Sequence, residues 1–506
     1  MKDTLWKENH FQDNIPDADS IQVDDIQTRA EKLRQQANAA VGAKKYAQAC
    51  ELYTQAIELS PCAILYANRA LARTKMEEYG YAYMDACKSI ELDCHYPKGY
   101  YRRAVANFAL GKYKAALEDF KKVLQLVPND ADAMAKKKEC ERRIREQAFA
   151  KAIDSDAVKP VSLFETIDYE SIIVEDSYQG PTWEQEDISE SFCYELIEYL
   201  RNQGKLHKKY LIKLLVYAKR YLDQLDNIVS YQVKESGITV CGDTHGQYYD
   251  LLNIFQLNGY PSRDNPYLFN GDFVDRGSFS VEVIITLLTF VCYDPLCMLL
   301  NRGNHESKNM NKIYGFEGEV KTKYNETIYS LFAELFESLP LGHLLIGNEK
   351  GNRKQVLVIH GGLFSRDGVL LEDLQHLDRH REPDQGLMAE LLWSDPQKEM
   401  GWGVSKRGIG VSFGPDVTCR FLDANQIALL VRSHEMKEQG YEVEADNRLI
   451  TVFSAPNYCD QMGNLGAYIR FSSTLEPQFY TFAQVPHPNV PPMAYASNGL
   501  GSMGLV

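Results

Sequence analysis

Asp243, His245, Asp272, Asp275, Asn304 and His305 stand in three short glycine-bearing loops. These are Cys241-Gly242-Asp243-Thr244-His245-Gly246, Asn270-Gly271-Asp272-Phe273-Val274-Asp275-Arg276-Gly277 and Arg302-Gly303-Asn304-His305-Glu306. Carboxylates, imidazoles and an amide oxygen are the donors that hold a pair of first-row divalent ions. Two aspartates brought together repel, and stay partly protonated unless a cation lies between them. One Gly-Asp pair is ordinary turn chemistry. Three such loops, with Asp243 and Asp272 29 residues apart and Asp272 and Asn304 32 apart, point instead to a metal pair.

The elements that must position these residues follow from the flanking runs. Ile238-Thr239-Val240, Tyr267-Leu268-Phe269 and Met298-Leu299-Leu300 each precede a loop. Strand, ligand-bearing loop and helix, repeated at about thirty residues, is the spacing of successive βαβ units. Their ligands emerge together at the carboxyl edge of a sheet. Three later apolar runs end the same way. Val356 to Ile359 leads into His360-Gly361-Gly362, Ala428 to Val431 into Arg432-Ser433-His434-Glu435, and Leu449 to Phe453 into Ser454-Ala455-Pro456-Asn457-Tyr458-Cys459. Strand-end position turns His360 and His434 into candidate ligands. Before the loops, Ser191 to about Leu225 reads as helical with a basic face. The most apolar window, Val281 to Leu300, contains Glu282, Asp294 and Pro295 and reads as a helix, a turn and a strand, not a membrane span.

A repeat precedes this region. Tyr46, Tyr79 and Tyr113 recur in register with Ala49, Ala82 and Ala116 and with Leu59, Leu92 and Leu126. A period near thirty-four with small residues at fixed points is the tetratricopeptide pattern, an all-α superhelix whose stacked units form a concave groove. Tyr53 and Phe120 fill the space the alanines leave. The first helix of each unit carries Arg34 and Asn38, then Asn68, then Lys98 and Arg102, with Arg73 and Lys75 nearby. Arg34/Asn38 and Lys98/Arg102 are i,i+4 pairs and share a face. Convergent cations and amides on one wall suit the terminal carboxylate of a peptide. Asn129 to about Ile153 reads as a long basic capping helix, started by Asn129 or Asp130.

The chain has 506 residues, enough for two or three domains, and a net charge of −15. Residues 28–150 hold 22 Lys and Arg against 15 Asp and Glu, a basic module in an acidic protein. That asymmetry points to an acidic partner for the module. The 11 cysteines show no Cys-x-x-Cys pair and read as free thiols in a reducing compartment. Met1 to Asn14 lacks the apolar core of a signal peptide, so a cytoplasmic and also nuclear location is expected. The expected organisation is a disordered leader (1–27), the repeat domain (28–153), a linker (154–182), the α/β catalytic domain (183–485) and a regulatory tail (486–506). Gly499, Gly501 and Gly504 argue against a stable helix in that tail.

Gly-Asp-x-His-Gly, Gly-Asp-x-x-Asp-Arg-Gly and Gly-Asn-His-Glu stand intact, and the chain resembles the phosphoprotein phosphatases, metal-dependent serine/threonine phosphatases with a central β-sandwich flanked by helices. Leu391 to Pro396 and Ser454 to Asp460 match that family as well. The resemblance implies two divalent ions, manganese or magnesium in vitro, with iron or zinc as alternatives. Asp243, His245 and Asp272 would hold one; Asp272, Asn304, His360 and His434 would hold the other. It implies attack on phosphorus by a hydroxide that the two ions activate, with no phosphoenzyme. His305 would be the acid for the leaving alkoxide, with Asp275 orienting it and raising its pKa. Arg276, Asn304, Arg407 and Tyr458 would bind the phosphoryl group of phosphoserine or phosphothreonine proteins. The repeat region resembles the carboxylate clamp of tetratricopeptide co-chaperones, with Arg34 where lysine is usual. That likeness implies binding of the Glu-Glu-Val-Asp tails of the ninety-kilodalton heat-shock chaperone and similar chaperones. Phosphatases that combine both modules are covered by the repeat domain until a chaperone tail or a lipid binds it, and Glu77 matches an inhibitory contact there. A monomer is expected, without nucleic acid. An inactive scaffold and a metallophosphodiesterase or nuclease of the same fold are the other classes; the complete ligand set and the net acidity argue against them.

Overall fold

A computed structural model describes residues 18–155, 162–349 and 352–496. The chain divides into two units between Ala150 and Lys151.

Among the described residues the first unit holds seven helices, the last running past its boundary: α1 Ala18–Gly42, α2 Tyr46–Leu59, α3 Ala63–Lys75, α4 Tyr79–Leu92, α5 Pro97–Ala109, α6 Tyr113–Leu126 and α7 Ala131–Ser155. The repeat landmarks are helix limits. Tyr46, Tyr79 and Tyr113 open α2, α4 and α6, and Leu59, Leu92 and Leu126 close them. Ala49, Ala82 and Ala116 are fully buried where helices of a pair approach, and Tyr53 and Phe120 pack beside them. Asp130 starts α7, its Oδ1 accepting from Ala133 N–H at 2.9 Å. A polar repeat escaped the sequence reading. Arg69 Nη2 meets Asp85 Oδ1 at 2.7 Å, and 34 residues on Arg103 Nη2 meets Asp119 Oδ1 at 2.7 Å. Each pair ties the first helix of a unit to its second with a bidentate guanidinium.

The second unit is a β-sandwich. One sheet orders Ile228–Gln232 (β1), Gly342–Glu349 (β5), Asn352–Ile359 (β6), Leu429–Arg432 (β10), Leu449–Val452 (β12) and Tyr441–Glu444 (β11). The other orders Pro477–Phe482 (β14), Gly466–Phe471 (β13), Ile238–Cys241 (β2), Tyr267–Phe269 (β3) and Met298–Leu300 (β4). A small third sheet joins Asp395–Pro396 (β7), Val411–Phe413 (β9) and Trp402–Val404 (β8). Side chains alternate along each strand and assign it to two cores. Val240, Leu268, Leu299, Val358 and Val431 point between the sheets. Cys241, Phe269 and Leu300 point outward against helices, and Leu357, Ile359 and Leu430 do so on the other side. The helices over the second sheet are α8 Leu163–Thr166, α9 Glu190–Arg201, α10 Lys208–Leu222, α11 Tyr248–Asn258, α12 Ser280–Tyr293, α13 Lys308–Tyr314, α14 Phe316–Lys323 and α15 Glu326–Phe336. β2-α11-β3-α12-β4 is the predicted run of βαβ units, with parallel pairing throughout.

Several sequence expectations are corrected. Residues 18–27, read as disordered leader, belong to α1; residues 1–17 lie outside the described residues. Residues 162–182, read as linker, are part of the second unit. Phe164, Ile167, Tyr169, Ile172, Val174 and Tyr178 pack on its main core, and Ser162 caps α8 by accepting from Phe164 N–H. Acidic residues between these apolar positions gave the stretch its linker-like composition. The helix expected over 191–225 is two, α9 and α10, separated at Gln203 with φ of 61°. Residues 486–496, read as tail, also lie on the second unit, while 497–506 and their glycines lie outside the described residues. Each of the 11 cysteines is a free thiol. Among the described residues no helix is long and apolar enough to cross a membrane.

Candidate metal and phosphate site

Both sheets deliver their ligands at one edge. β2, β3 and β4 end at the three glycine loops; β6, β10 and β12 end at His360, His434 and the Ser454 loop. The sheets meet there. Asp243 forms a parallel bridge with Phe453, Ser454 N–H donates to Asp243 O at 3.1 Å, and Gly242 N–H donates to Ser454 Oγ at 2.8 Å. The loops are tightly nested: a Cβ on Gly303 would stand 2.2 Å from Asp272 Oδ1. His245, Asp272, Asp275, Arg276 and His434 all hold left-handed backbone, with φ between 42° and 71°. Such backbone is costly for residues with a side chain and persists only where the surroundings impose it.

Asp243, His245, Asp272, Asn304, His360 and His434 are all buried. His245 Nδ1–H donates to Val274 O at 3.0 Å, and His360 Nδ1–H to Asn270 O at 2.8 Å. Both rings therefore turn Nε2 into the cluster. His245 Nε2 is 3.7 Å from Asp243 Oδ2 and 3.5 Å from Asp272 Oδ2. His360 Nε2 is 3.3 Å from Asp272 Oδ2 and 2.8 Å from Asn304 Oδ1. His434 Nε2 is buried without a hydrogen-bond partner. Burial, and Asp272 next, pushes the Asp243 carboxyl up to about 7; burial also raises Asp272. Burial holds His245 and His434 well below the ordinary imidazole range, so they stand neutral. Neutral imidazoles aimed at costly carboxylates, with one orphaned Nε2, fit cations. By ligand-atom distance His245, Asp272 and His305 form one group able to hold an ion, and Asp272, His360 and His434 another. The first group contains His305 where the sequence reading placed Asp243.

His305 is nevertheless tied elsewhere. Its Nδ1 lies 2.8 Å from Asp275 Oδ2, and its N–H donates to Asp272 Oδ1 at 2.8 Å. Asp275 also accepts from Asn311 Nδ2 at 3.2 Å and Phe316 N–H at 2.9 Å. The expected rise in the His305 pKa is not found. Burial, then the charge of Arg276, holds it well below the imidazole range, while burial pushes Asp275 up to about 7. The Arg276 guanidinium stacks 3.6 Å from the Tyr314 ring. Arg407 donates from Nε to Asp395 Oδ2 at 2.7 Å and from Nη2 to His434 O at 2.8 Å. Its fork is thus fixed to the loop that carries His434. The Tyr458 ring lies 5.2 Å from that of His245.

Three further residues shape the site. Glu306 accepts from the N–H groups of Asp272, Phe273 and Gly303 and so locks two ligand loops together. Asn311 and Tyr314, on α13, support Asp275 and Arg276. Glu306 could have been found from its place after Asn304-His305; nothing local marks Asn311 or Tyr314.

In the repeat unit, Asn38 Oδ1 accepts from Tyr53 OH at 2.6 Å and Asn68 Nδ2 at 3.4 Å. Arg34 and Arg102 both act electrostatically on Tyr53 and Tyr96, which brings four of the five clamp candidates to one wall. Lys98 is exposed one turn before Arg102 on α5. Arg34 is held by Glu31 at 2.6 Å. Lys75 is lowered by burial, then by the nearby charges of Lys44 and Arg102. Arg73 does not join it: its Nη1 bonds Asp85 at 2.7 Å. Glu77 sits in the α3–α4 turn with φ of 62°.

Comparison with known proteins agrees with both units. The calcineurin-like phosphoesterase family matches residues 237–438, a tetratricopeptide repeat matches 97–130, and the PPP5 TPR repeat region matches 137–230. Serine/threonine-protein phosphatase 5 of Homo sapiens is 52% identical over 97% of each chain. Serine/threonine-protein phosphatase T of Aspergillus oryzae is 48% identical, covering 94% of this chain and 98% of its own. A solved Saccharomyces cerevisiae protein serine/threonine phosphatase, described as similar to human phosphatase PP5, superposes with a TM-score of 0.57 at 42% identity. It covers 61% of this chain and 100% of its own. With half the residues shared over nearly the whole length, the chain belongs to the serine/threonine-protein phosphatase 5 family and is a protein serine/threonine phosphatase.

Proposed function

We propose that the enzyme hydrolyses phosphoserine and phosphothreonine monoesters at the edge where the two sheets meet, with two divalent cations. The observation that carries this reading is the buried cluster of neutral imidazoles and raised carboxyls around Asp272, with His434 Nε2 left without a partner. Asp243, His245 and Asp272 would hold one ion, and Asp272, Asn304, His360 and His434 the other. Two bound cations lower the pKa of water and draw charge from phosphoryl oxygens.

The chain's own residues supply the rest. Arg276 and Arg407 hold the phosphoryl oxygens, with Tyr458 and Asn304 beside them. Stacking on Tyr314 and anchoring to Asp395 fix the two guanidinium groups in advance, so little freedom is lost on binding. His305, oriented by Asp275, gives its proton to the leaving alkoxide. A phosphate dianion entering beside it raises the imidazole pKa, which opposes the depression that burial causes in the free site.

The basic repeat unit would bind an acidic chaperone tail such as Glu-Glu-Val-Asp through Arg34, Asn38, Asn68, Lys98 and Arg102. The repeat unit would restrain the catalytic unit, with Glu77 taking part, until such a tail or a lipid binds. The test is manganese-dependent release of phosphate from a phosphoserine peptide, with His305→Ala as control. Failure of release, or preference for diesters, overturns the catalytic reading. Lys98→Ala and Arg102→Ala should each weaken binding of a Glu-Glu-Val-Asp peptide about tenfold or more; unchanged affinity in both removes the clamp. Equal phosphopeptide turnover by the full chain and by residues 162–506 removes the restraint.

A further inference from the structure

Residues 485–496 cross the outside of the site loops and are held by bonds to Asp250, Arg276 and Ser278. Val485 N–H donates to Asp250 Oδ1 at 2.9 Å. Ser278 Oγ donates to Pro491 O at 2.6 Å and accepts from Ala494 N–H at 3.3 Å. Met493 N–H donates to Arg276 O at 2.7 Å. Between the Asp250 and Ser278 attachments the segment borders a solvent-open cleft lined by Phe279, Cys459, Asp460 and His487. Here Val490 packs on the main core and His487 Nε2 lies 3.2 Å from Asp460 Oδ1. Past Ser278 the chain comes close again: a Cβ on Gly318 would stand 2.1 Å from Tyr495 O.

The Arg276 backbone is bracketed from both sides. Its N–H donates to Tyr314 O at 3.1 Å, and its carbonyl accepts from Met493. Asp275 and Arg276 hold φ of 71° and 70°, backbone that neither residue keeps unaided. Ser278, 4% exposed and two residues on, is the side chain of this loop that grips residues 491–494 by both donation and acceptance.

We propose that Ser278 is a positioning residue for phosphate recognition. Its hydroxyl ties residues 491–494 to the Arg276 loop and so holds the backbone that aims the Arg276 guanidinium. The proposal rests on the reading of Arg276 as a phosphoryl ligand. A residue acting through the aim of a binding group changes affinity for phosphate and leaves proton transfer at His305 alone. It therefore moves KM and product inhibition, not kcat.

The experiment is steady-state kinetics of the full chain with p-nitrophenyl phosphate and manganese, together with inhibition by inorganic phosphate. In Ser278→Ala, KM and the phosphate inhibition constant should rise together by about fivefold, the scale of one lost hydrogen bond, with kcat within about twofold. Ser278→Thr keeps the hydroxyl and should restore both. Met493→Pro removes the N–H that reaches Arg276 O and cannot adopt the φ of 55° found there. It should give the same shift without touching the loop, which keeps the test decisive if Ser278→Ala folds poorly. Arg276→Ala separates the two readings. If it leaves KM and phosphate inhibition unchanged, the phosphate role of Arg276 fails and the proposal with it. If it raises both while Ser278→Ala and Met493→Pro raise neither, the positioning role of Ser278 alone is overturned. A rise in kcat at constant KM in Ser278→Ala also overturns it, because the segment would then act as a brake.

Discussion

Asp275 receives Asn311 Nδ2–H and Phe316 N–H and faces His305 Nδ1, so both its oxygens are committed. In Asp275→Asn an amide N–H would face either a backbone N–H or the imidazole Nδ1–H. The second orientation takes away the acceptor that sets the ring's tautomer, and both remove the carboxylate charge that would stabilise an imidazolium. The expected outcome is a fall in kcat of about 10²- to 10⁴-fold toward a phosphopeptide, with inhibition by inorganic phosphate changed far less. An undiminished kcat would separate Asp275 from proton transfer. The candidate ligands were readable because each is a rare polar group at the end of an apolar run, next to glycine. Asn311 and Tyr314 were not, because they lie on a short helix after the third loop and gain their role only from neighbours in space. The Asp275–His305 electrostatics were misread for the same reason. A neighbouring carboxylate was visible in the sequence, whereas the burial that outweighs it was not.

At the scale of elements, α11 presents Asp250 to the backbone of residue 485. Burial pushes this carboxyl up to about 6 from 3.8. The folded chain therefore keeps a proton that the unfolded chain releases as pH rises from about 4. Its contribution to stability is greatest below about pH 4 and declines until about pH 6, leaving a cost of about 3 kcal/mol above that. Asp250→Asn retains an acceptor for Val485 N–H and cannot ionise. Urea unfolding should show it more stable than the parent at pH 7 and nearly equal at pH 4.5; an identical pH dependence in both proteins would refute this assignment. The βαβ run was legible from spacing, and α2, α4 and α6 from landmarks that proved to be their end residues. The strand order of the first sheet was not, because β1 and β5 carry no loop chemistry and pair across more than a hundred residues. The Arg69–Asp85 and Arg103–Asp119 pairs were open to reading from their thirty-four-residue recurrence, but surface-prone residue types disguise a buried bond.

For the whole molecule, the catalytic unit is larger than composition implied. Removing residues 162–182 would strip six half-buried apolar side chains from its main core. A fragment of residues 183–506 should be less stable than one of residues 162–506 by several kcal/mol, at about 1 kcal/mol for each such side chain. Thermal unfolding of the two fragments measures this, and equal midpoints would return the stretch to linker status. The bridge between Asp243 and Phe453 has its own consequence at this scale. At the site edge the seam between the sheets and the ligand loops share residues, so parting of the sandwich along that edge pulls the ligands out of register. Heat or denaturant should then silence catalysis while circular dichroism still reports an intact fold. Where only that edge has opened, activity should return on cooling, and the site would act as a resettable fuse for the enzyme.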